Sequence, residues 1–324
     1  MKLLPKLFAI VLSLFLAFAF VSCAKNPVED PNGDVGDDIV EDEKPVIDDI
    51  RAPFYVLVIG NDSRVGTIEA TIADYADGNA RSDTMILVRV DPVRYLIALI
   101  SIPRDTTAIV DGYTIKINEV YRRNEPEALV REVSLLTGVV IDYYMDMGFV
   151  DFKNFVDAFG GIEANVPLKM SWRDIVTGEM ISLSAGFQAL DAAGALVLAR
   201  VRSTYAVDID ACRQVQNRQI VQVAIEKVLK NPLEAIKHVN ALTANMRTNW
   251  EVDDMTKVIA SFISNSSRVK FVSGSGPYAG DFDPNLGGLW VIHRDEAKWR
   301  ELIQTIESGG DPTTIIPLPD VRAA

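Results

Sequence analysis

The chain has 324 residues, 48% of them hydrophobic, and a net charge of −13. That apolar content suffices for one large domain or two small ones and excludes a disordered protein. The acidic balance excludes the basic footprint of a nucleic-acid binder.

The chain opens with Met1-Lys2-Leu3-Leu4-Pro5-Lys6, an apolar run from Leu7 to Val21, and then Ser22-Cys23-Ala24. This pattern predicts a signal peptide over residues 1–22, because the run falls short of the about 20 apolar residues a membrane span needs. Cys23 stands where bacterial lipoprotein leaders place the cysteine that is lipidated. With Cys212 as the other cysteine, the mature chain has no internal disulfide to form. From Ala24 to Arg51 there are ten Asp or Glu against three Lys or Arg. Such a segment cannot bury enough surface to offset its ordering entropy, so residues 23–51 are predicted to be an acidic, disordered tether behind the lipid.

Beyond it, "FYVLVIG" from Phe54 to Gly60 predicts a buried strand. "TMILVRVD" and "YLIALISIP" predict two more, and the turn chemistry of Asp91-Pro92-Val93-Arg94 joins them as a hairpin. In "VDFKNFVDAFGG", Phe152, Phe155, Val156 and Phe159 share one helical face, and Gly160-Gly161 ends the helix. From Arg213 to Lys230, Val221, Ala224, Ile225, Val228 and Leu229 make an apolar stripe; Asp210 reads as its N-cap and Asn231-Pro232 as its stop. "RDEAKWRELIQTI" predicts a last helix. The expectation is α/β: a single domain over residues 52–308 with a mixed central sheet flanked by helices, followed by a Pro-rich tail over 309–324.

Familiar catalytic signatures are missing: there is no phosphate-binding P-loop, no G-x-S-x-G elbow and no His/Cys cluster, and the two histidines, His238 and His293, read as packing or surface residues. What remains is Asp and Arg at strand ends. Asn61-Asp62-Ser63-Arg64 follows the first strand, Arg81-Ser82-Asp83-Thr84 precedes the second, and Arg104-Asp105 follows the third. Loops beyond strand ends of open α/β sheets bind ligands. Two carboxylates and several guanidiniums converging there suit a phosphate or pyrophosphate carried with a divalent metal. Arg200-Val201-Arg202, read as an extended segment, adds two guanidiniums on one face. Arg213 falls in the first turn of the next helix, whose N–H groups also favour anions.

In order and wording, "VLVIGNDSR", "ARSDTMILVRVDP", "ALISIPRDT", "KINEVY", "IDYYMDMGFVDFKNFVDAFGGIEANVP", "LVLARVRS" and "ANMRTNWEVDDM" resemble the LytR-CpsA-Psr family of bacterial cell-envelope proteins, from about Phe54 to Ile306. The resemblance implies a phosphotransferase that moves a glycopolymer from an undecaprenyl-pyrophosphate carrier to peptidoglycan through a phosphodiester bond. It also implies a mixed sheet flanked by helices, with an apolar channel for the polyprenyl chain. Asp62 and Asp83 match the family's functional aspartates, as catalytic groups and ligands of Mg2+ or Mn2+; which is base and which is ligand stays open. Arg81, Arg104, Arg200 and Arg202 match its phosphate-binding arginines, with Asp105 fixing the Arg104 fork or capping the turn, and Lys116 matches a lysine of the "KIN" motif. Asp210-Ala211-Cys212-Arg213 fits the start of a further motif, but Gln216-Asn217 stands where Arg-Gln is expected and Arg218-Gln219 follows two residues late. Two helical residues turn a side chain by about 200°, so Arg218 is no direct replacement, and whether it joins the site stays open. The resemblance implies an extracytoplasmic protein held at the membrane surface through Cys23, with no nucleic-acid partner. Two alternatives use the same residues: a non-catalytic binder of polyprenyl phosphates or anionic polymers, and a polyprenyl diphosphate pyrophosphatase.

Overall fold

In the apolar run Phe54 to Ile59, alternate side chains face opposite ways and both sets are buried, so this strand must lie between two layers. The structure, a computed structural model, describes residues 52–77, 80–121 and 126–322. The leader, Cys23 and the acidic tether lie outside the described residues. A six-stranded mixed sheet forms the centre, built from β1 (Phe54–Asn61), β2 (Ser82–Asp91), β3 (Leu96–Ser101), β4 (Tyr143–Met147), β5 (Arg247–Thr248) and β6 (Lys270–Ser275). Its spatial order is β5-β4-β1-β2-β3-β6. The β1/β4 and β3/β6 pairs are parallel and the other neighbours antiparallel. The ends of β1, β3 and β4 therefore gather at one edge with the start of β2.

The helices that flank it are α1 (Pro126–Thr137), α2 (Phe149–Ala158), α3 (Ala192–Arg200), α4 (Ile209–Lys230), α5 (Ala235–Ala244), α6 (Val252–Ile263) and α7 (Glu296–Glu307). On one sheet face, Leu57, Ile59, Met85 and Leu87 pack with Leu129 and Val133 of α1 and with Trp299 and Leu302 of α7. On the other, Phe54, Val56, Ile86 and Val88 meet Leu229 of α4, Val239 of α5 and Met255, Val258 and Phe262 of α6. A third cluster joins α2 and α3 to the ribbon Ile162–Val166/Gly186–Leu190 through Phe155, Val156, Ala195 and Leu198.

The hairpin between β2 and β3 forms as its residues predict: Asp91 Oδ1 accepts from the backbone N–H groups of Val93 (3.1 Å) and Arg94 (2.9 Å). The α2 stripe and its glycine stop also hold. Gly161 has φ +80°, and a Cβ there would meet the Leu190 carbonyl oxygen at 2.8 Å. Two local readings need correction. Arg200 is the last residue of α3 rather than part of an extended pair, with Val201 as the extended C-cap. Asp210 lies inside the first turn of α4, and Asp208 holds the N-cap position without a side-chain cap. In both places the hydrogen bonds of a neighbouring turn, invisible in a short window of sequence, extend the helix.

Candidate functional site

Antiparallel pairing of β1 with β2 sets Gly60 against Thr84 and, across an irregularity, Asn61 against Ser82. That register delivers Asp62 and Asp83 to the same sheet edge although twenty residues separate them. The intervening loop is closed at its base: Asp62 N–H donates to the Arg81 carbonyl (3.0 Å), and Asp62 Oδ1 accepts from Arg81 N–H (2.6 Å). Asn61 is braced from below. Its amide donates to Asp146 Oδ1 (2.8 Å) and Tyr121 Oη (3.2 Å), and its own Oδ1 accepts from Ser63 N–H (3.0 Å). Tyr121 Oη and Arg247 both donate to Asp146 Oδ2, at 2.7 and 3.0 Å. This buried network at the ends of β1 and β4 fixes the loop that carries Asp62.

Arg104 enters from the end of β3. Its guanidinium donates to Asp83 Oδ1 (2.8 Å), and its Nε stands 3.7 Å from Asp105 and 3.6 Å from Asp210. Lys116 donates to Asp105 Oδ1 at 2.7 Å, so it reaches the cluster through Asp105. From the N-terminal turns of α4, Arg213 donates to Asp210 Oδ1 (2.9 and 3.1 Å), to the Asp83 carbonyl (2.7 Å) and to Thr84 Oγ1 (3.1 Å). The Asn217 amide lies 2.8 Å from the same Thr84 hydroxyl. Arg202 comes within 3.7 Å of Asp210, while Arg200 lies over the Phe149 ring at 4.5 Å. Arg81 faces Glu119 at 4.0 Å.

Asp210 is thus the hub that sequence reasoning missed as a site residue. One carboxylate gathers Arg104, Arg202 and Arg213, and Gln214 donates to its second oxygen (2.7 Å). The signal was present in the three-residue spacing of Asp210 and Arg213, which on a helix puts them on one face.

The electrostatics follow from crowding. Burial pushes the Asp62 carboxyl above its ordinary value; the hydrogen bond from Arg81 N–H opposes this and the charge of Asp83 reinforces it. Burial works against the charge on Arg104, but Asp83, Asp210 and Asp105 outweigh it and hold the guanidinium more basic than usual. Arg202 goes the other way, lowered by burial and then by the like charges of Arg104 and Arg213, and burial lowers Arg200 as well. Guanidiniums that disfavour one another at one mouth are prepared for an anion.

That mouth opens into a cavity of about 940 Å³, at the upper end of the range for small-molecule sites. Asp62, Asp83, Arg81, Arg104, Arg200, Arg202 and Arg213 line its entrance. Its depth is apolar and runs between the sheet and the helices on that face, past Val88, Ile97, Ala224, Leu242, Trp250 and Phe262. Arg218 is elsewhere. It is 1% exposed, does not line the cavity, and donates to Ser101 Oγ (2.6 Å) and Ser273 Oγ (2.9 Å). With no carboxylate beside it among the described residues, burial lowers its pKa to about 10.

Asp62 and Asp83 each commit one oxygen, to Arg81 N–H and to Arg104 respectively, and among the described residues the other oxygen of each accepts no hydrogen bond. Among the described residues no three Asp, Glu, His or Cys side chains gather to hold a metal ion. Two carboxylates fit a hard cation that completes its shell with water and substrate phosphate, the usual arrangement for Mg2+. No helix of the described residues is long and apolar enough to cross a membrane.

The LytR_cpsA_psr family matches residues 26–306. Among curated proteins, the chain is 27% identical over 266 residues to the polyisoprenyl-teichoic acid–peptidoglycan teichoic acid transferase TagV of Bacillus subtilis, covering 77% of this chain and 65% of that protein. It is also 27% identical over 263 residues to the corresponding transferase TagU of Bacillus mycoides, covering 79% and 78%. The crystal structure of B. subtilis TagV superposes with a TM-score of 0.64 at 24% identity, over 78% of this chain and 96% of that one. A structure of TagT bound to LI-WTA gives 0.60 at 20% identity, over 79% and 90%. These two structures share the fold.

Proposed function

The chain belongs to the LytR-CpsA-Psr family, and from that membership we propose that it transfers a glycopolymer from an undecaprenyl-diphosphate carrier to peptidoglycan. The observation that carries the proposal is the joining of two chemistries in one cavity: a mouth of converging arginines and a long apolar interior. A polyprenyl diphosphate has the same two parts in the same order. Relatives named as teichoic acid transferases support the reaction class.

In the proposed reaction the carrier's apolar chain occupies the interior and its diphosphate takes the mouth, forked by Arg104, Arg202 and Arg213, with Arg81 and Arg200 at the rim. An acceptor sugar hydroxyl attacks the sugar-linked phosphorus. The new bond is acceptor O–P; the bond broken joins that phosphorus to the bridging oxygen, which leaves with the polyprenyl monophosphate. The hydroxyl proton passes to Asp62 or Asp83. Burial makes the Asp62 carboxylate a stronger base than an ordinary aspartate, which suits a proton acceptor. Asp62 and Asp83 would hold Mg2+ or Mn2+, which when bound adds positive charge against the diphosphate. Catalysis is then mostly positioning and charge neutralisation, with Asp210 holding the arginines in place. The product is a phosphodiester between glycopolymer and peptidoglycan.

The chemistry belongs outside the cytoplasmic membrane, with Cys23 as lipid anchor keeping the domain beside its carrier. Mass spectrometry of lipids co-purifying with the full chain tests the substrate class. A polyprenyl phosphate or diphosphate in the wild type, lost in Arg104→Ala, is the expected result; phospholipid alone would count against it.

A further inference from the structure

Arg64 stands two residues after Asp62 and lines the same cavity, but its carboxylate partner is Glu69 (3.6 Å) rather than Asp210. The backbone explains the pairing. Thr67 Oγ1 donates to the Arg64 carbonyl (2.8 Å) and accepts from Glu69 N–H (3.3 Å), and Thr67 N–H donates to the same carbonyl (2.9 Å). The buried Thr67 thereby closes a turn with Arg64 and Glu69 at its two ends.

The turn is pinned beside Arg200. Ile68 N–H donates to the Ile175 carbonyl (3.2 Å), and a Cβ on Gly66, at φ +76°, would meet Val150 Cγ2 at 3.2 Å. Upstream, a Cβ on Gly148 would meet Asn61 Oδ1 at 3.2 Å and Ser63 Cβ at 3.5 Å. Residues 61–66 therefore run along the start of α2, past Gly148 and Val150. Phe149 falls between those two, and the Arg200 guanidinium sits over its ring at 4.5 Å. Arg64, Phe149 and Arg200 all line the cavity, so both guanidiniums share this stretch of its rim. Burial disfavours the charge on Arg200, and among the carboxylates that offset this Glu69 comes first, ahead of Asp83 and Asp174.

Glu69 is a counter-ion that can leave. The Arg64 and Glu69 side chains are 50% and 46% exposed, and ion pairs that open to water are worth little. Asp74, also near enough to feel the charge of Arg64, is already engaged by the Thr71 N–H and hydroxyl at 2.7 and 2.6 Å. A phosphate offers a guanidinium the same oxygen edge as a carboxylate, with more charge and a third oxygen for a second guanidinium.

We propose that Arg64 and Arg200 form a second phosphate subsite, separate from the cluster of Arg104, Arg202 and Arg213, and that Glu69 fills it until a substrate phosphate displaces the carboxylate. Two sources supply that chemistry: the second phosphate of a lipid diphosphate, or a phosphate carried by the glycopolymer. Naming these sources rests on the transferase reading; the subsite itself rests on the turn and its neighbours.

The test is calorimetric titration of the full chain with farnesyl diphosphate, farnesyl monophosphate and a soluble glycerol phosphate oligomer. Glu69→Gln, which removes the competing charge, should tighten binding by about threefold, the scale of an exposed ion pair. Arg64→Ala should weaken it by about tenfold, the loss of one charge-assisted hydrogen bond. In Arg64→Ala/Glu69→Gln most of the gain should disappear. Glu301→Gln makes the same charge change on α7, against the opposite face of the sheet, and should bind like wild type. A gain for farnesyl diphosphate assigns the subsite to the second phosphate of the carrier; a gain confined to the oligomer assigns it to the glycopolymer. A gain with neither ligand, an equal gain in Glu301→Gln, or a gain kept in full without Arg64 overturns the proposal. So does an equal gain for farnesyl monophosphate, which would set Glu69 against the first phosphate site. If the oligomer shows the expected pattern while farnesyl diphosphate fails to bind the wild type, the subsite stands and the transferase reading falls.

Discussion

Arg104→Ala removes a guanidinium that faces three carboxylates: Asp83 at 2.8 Å, Asp210 at 3.6 Å and Asp105 at 3.7 Å. Asp105 keeps Lys116 at 2.7 Å and Asp210 keeps Arg213 at 2.9 Å, so Asp83 alone loses its ion-pair partner. The cost to the fold is therefore small, about 1 kcal/mol for a side chain that is 20% exposed, or roughly 2–4 °C in Tm for a domain of this size. The cost to the ligand is larger. One charge-assisted hydrogen bond to phosphate is worth about 1.5–3 kcal/mol, which is about 10- to 150-fold in Kd. Arg104→Lys should fall between, because an ammonium keeps the charge without the planar fork. Calorimetric titration with farnesyl diphosphate in magnesium buffer, alongside thermal melts, reads both quantities. Unchanged affinity with a much larger fall in Tm would show that Arg104 serves the fold and would refute the phosphate assignment.

Ala224→Trp fills the apolar interior of the cavity, so it should weaken undecaprenyl phosphate binding while leaving inorganic pyrophosphate binding unchanged; equal effects on both ligands would contradict a lipid channel. Arg218→Met and Arg218→Ala both orphan the Ser101 and Ser273 hydroxyls, but only alanine also opens a void. Calorimetry should find the alanine variant less stable by about 2 kcal/mol, with farnesyl diphosphate affinity kept in both. Lost affinity would put Arg218 in the site. Asp62 is held above the free-aspartate value of about 3.9 by burial and by the charge of Asp83. The active, deprotonated form is therefore lost on acidification at a higher pH than for an ordinary aspartate. In Asp83→Asn the raising charge is gone, and the Asp62 midpoint followed by carbon-13 NMR should move down; an upward shift would contradict the coupling.

Three strands of the sheet, β1, β2 and β3, were legible because they are buried on both faces. Phe54–Ile59 and Leu96–Ile100 read as unbroken apolar runs between turn residues, and Met85–Val90 as one interrupted only by Arg89. The Phe152/Phe155/Val156 stripe was legible for the complementary reason, one buried face at helical spacing. Tertiary order was not. Ala224 and Leu229 belong to one apolar stripe of α4, yet both line the cavity and Leu229 also packs in the core, because an apolar side chain facing a channel has the same spacing as one facing a core. The brace from Asp146 to Asn61 joins residues 85 apart and leaves no local pattern. Asp210 was read as a cap because Asp before a helical stripe most often is one. Only the approach of Arg104 and Arg202 from distant segments reveals its carboxylate as the hub. Arg213 was legible from its helical position, whereas the fate of Arg218 depended on how α4 rotates over β3 and β6.

The most direct measurement is a transfer reaction with purified undecaprenyl-diphosphate-linked glycopolymer, a soluble peptidoglycan acceptor and the full chain, followed by phosphorus NMR and mass spectrometry. The account predicts equal amounts of a new phosphodiester product and of undecaprenyl monophosphate, both abolished by Asp62→Ala. Release of undecaprenyl monophosphate with free, phosphorylated glycopolymer and no phosphodiester would instead identify water as the acceptor and contradict the assignment as a transferase.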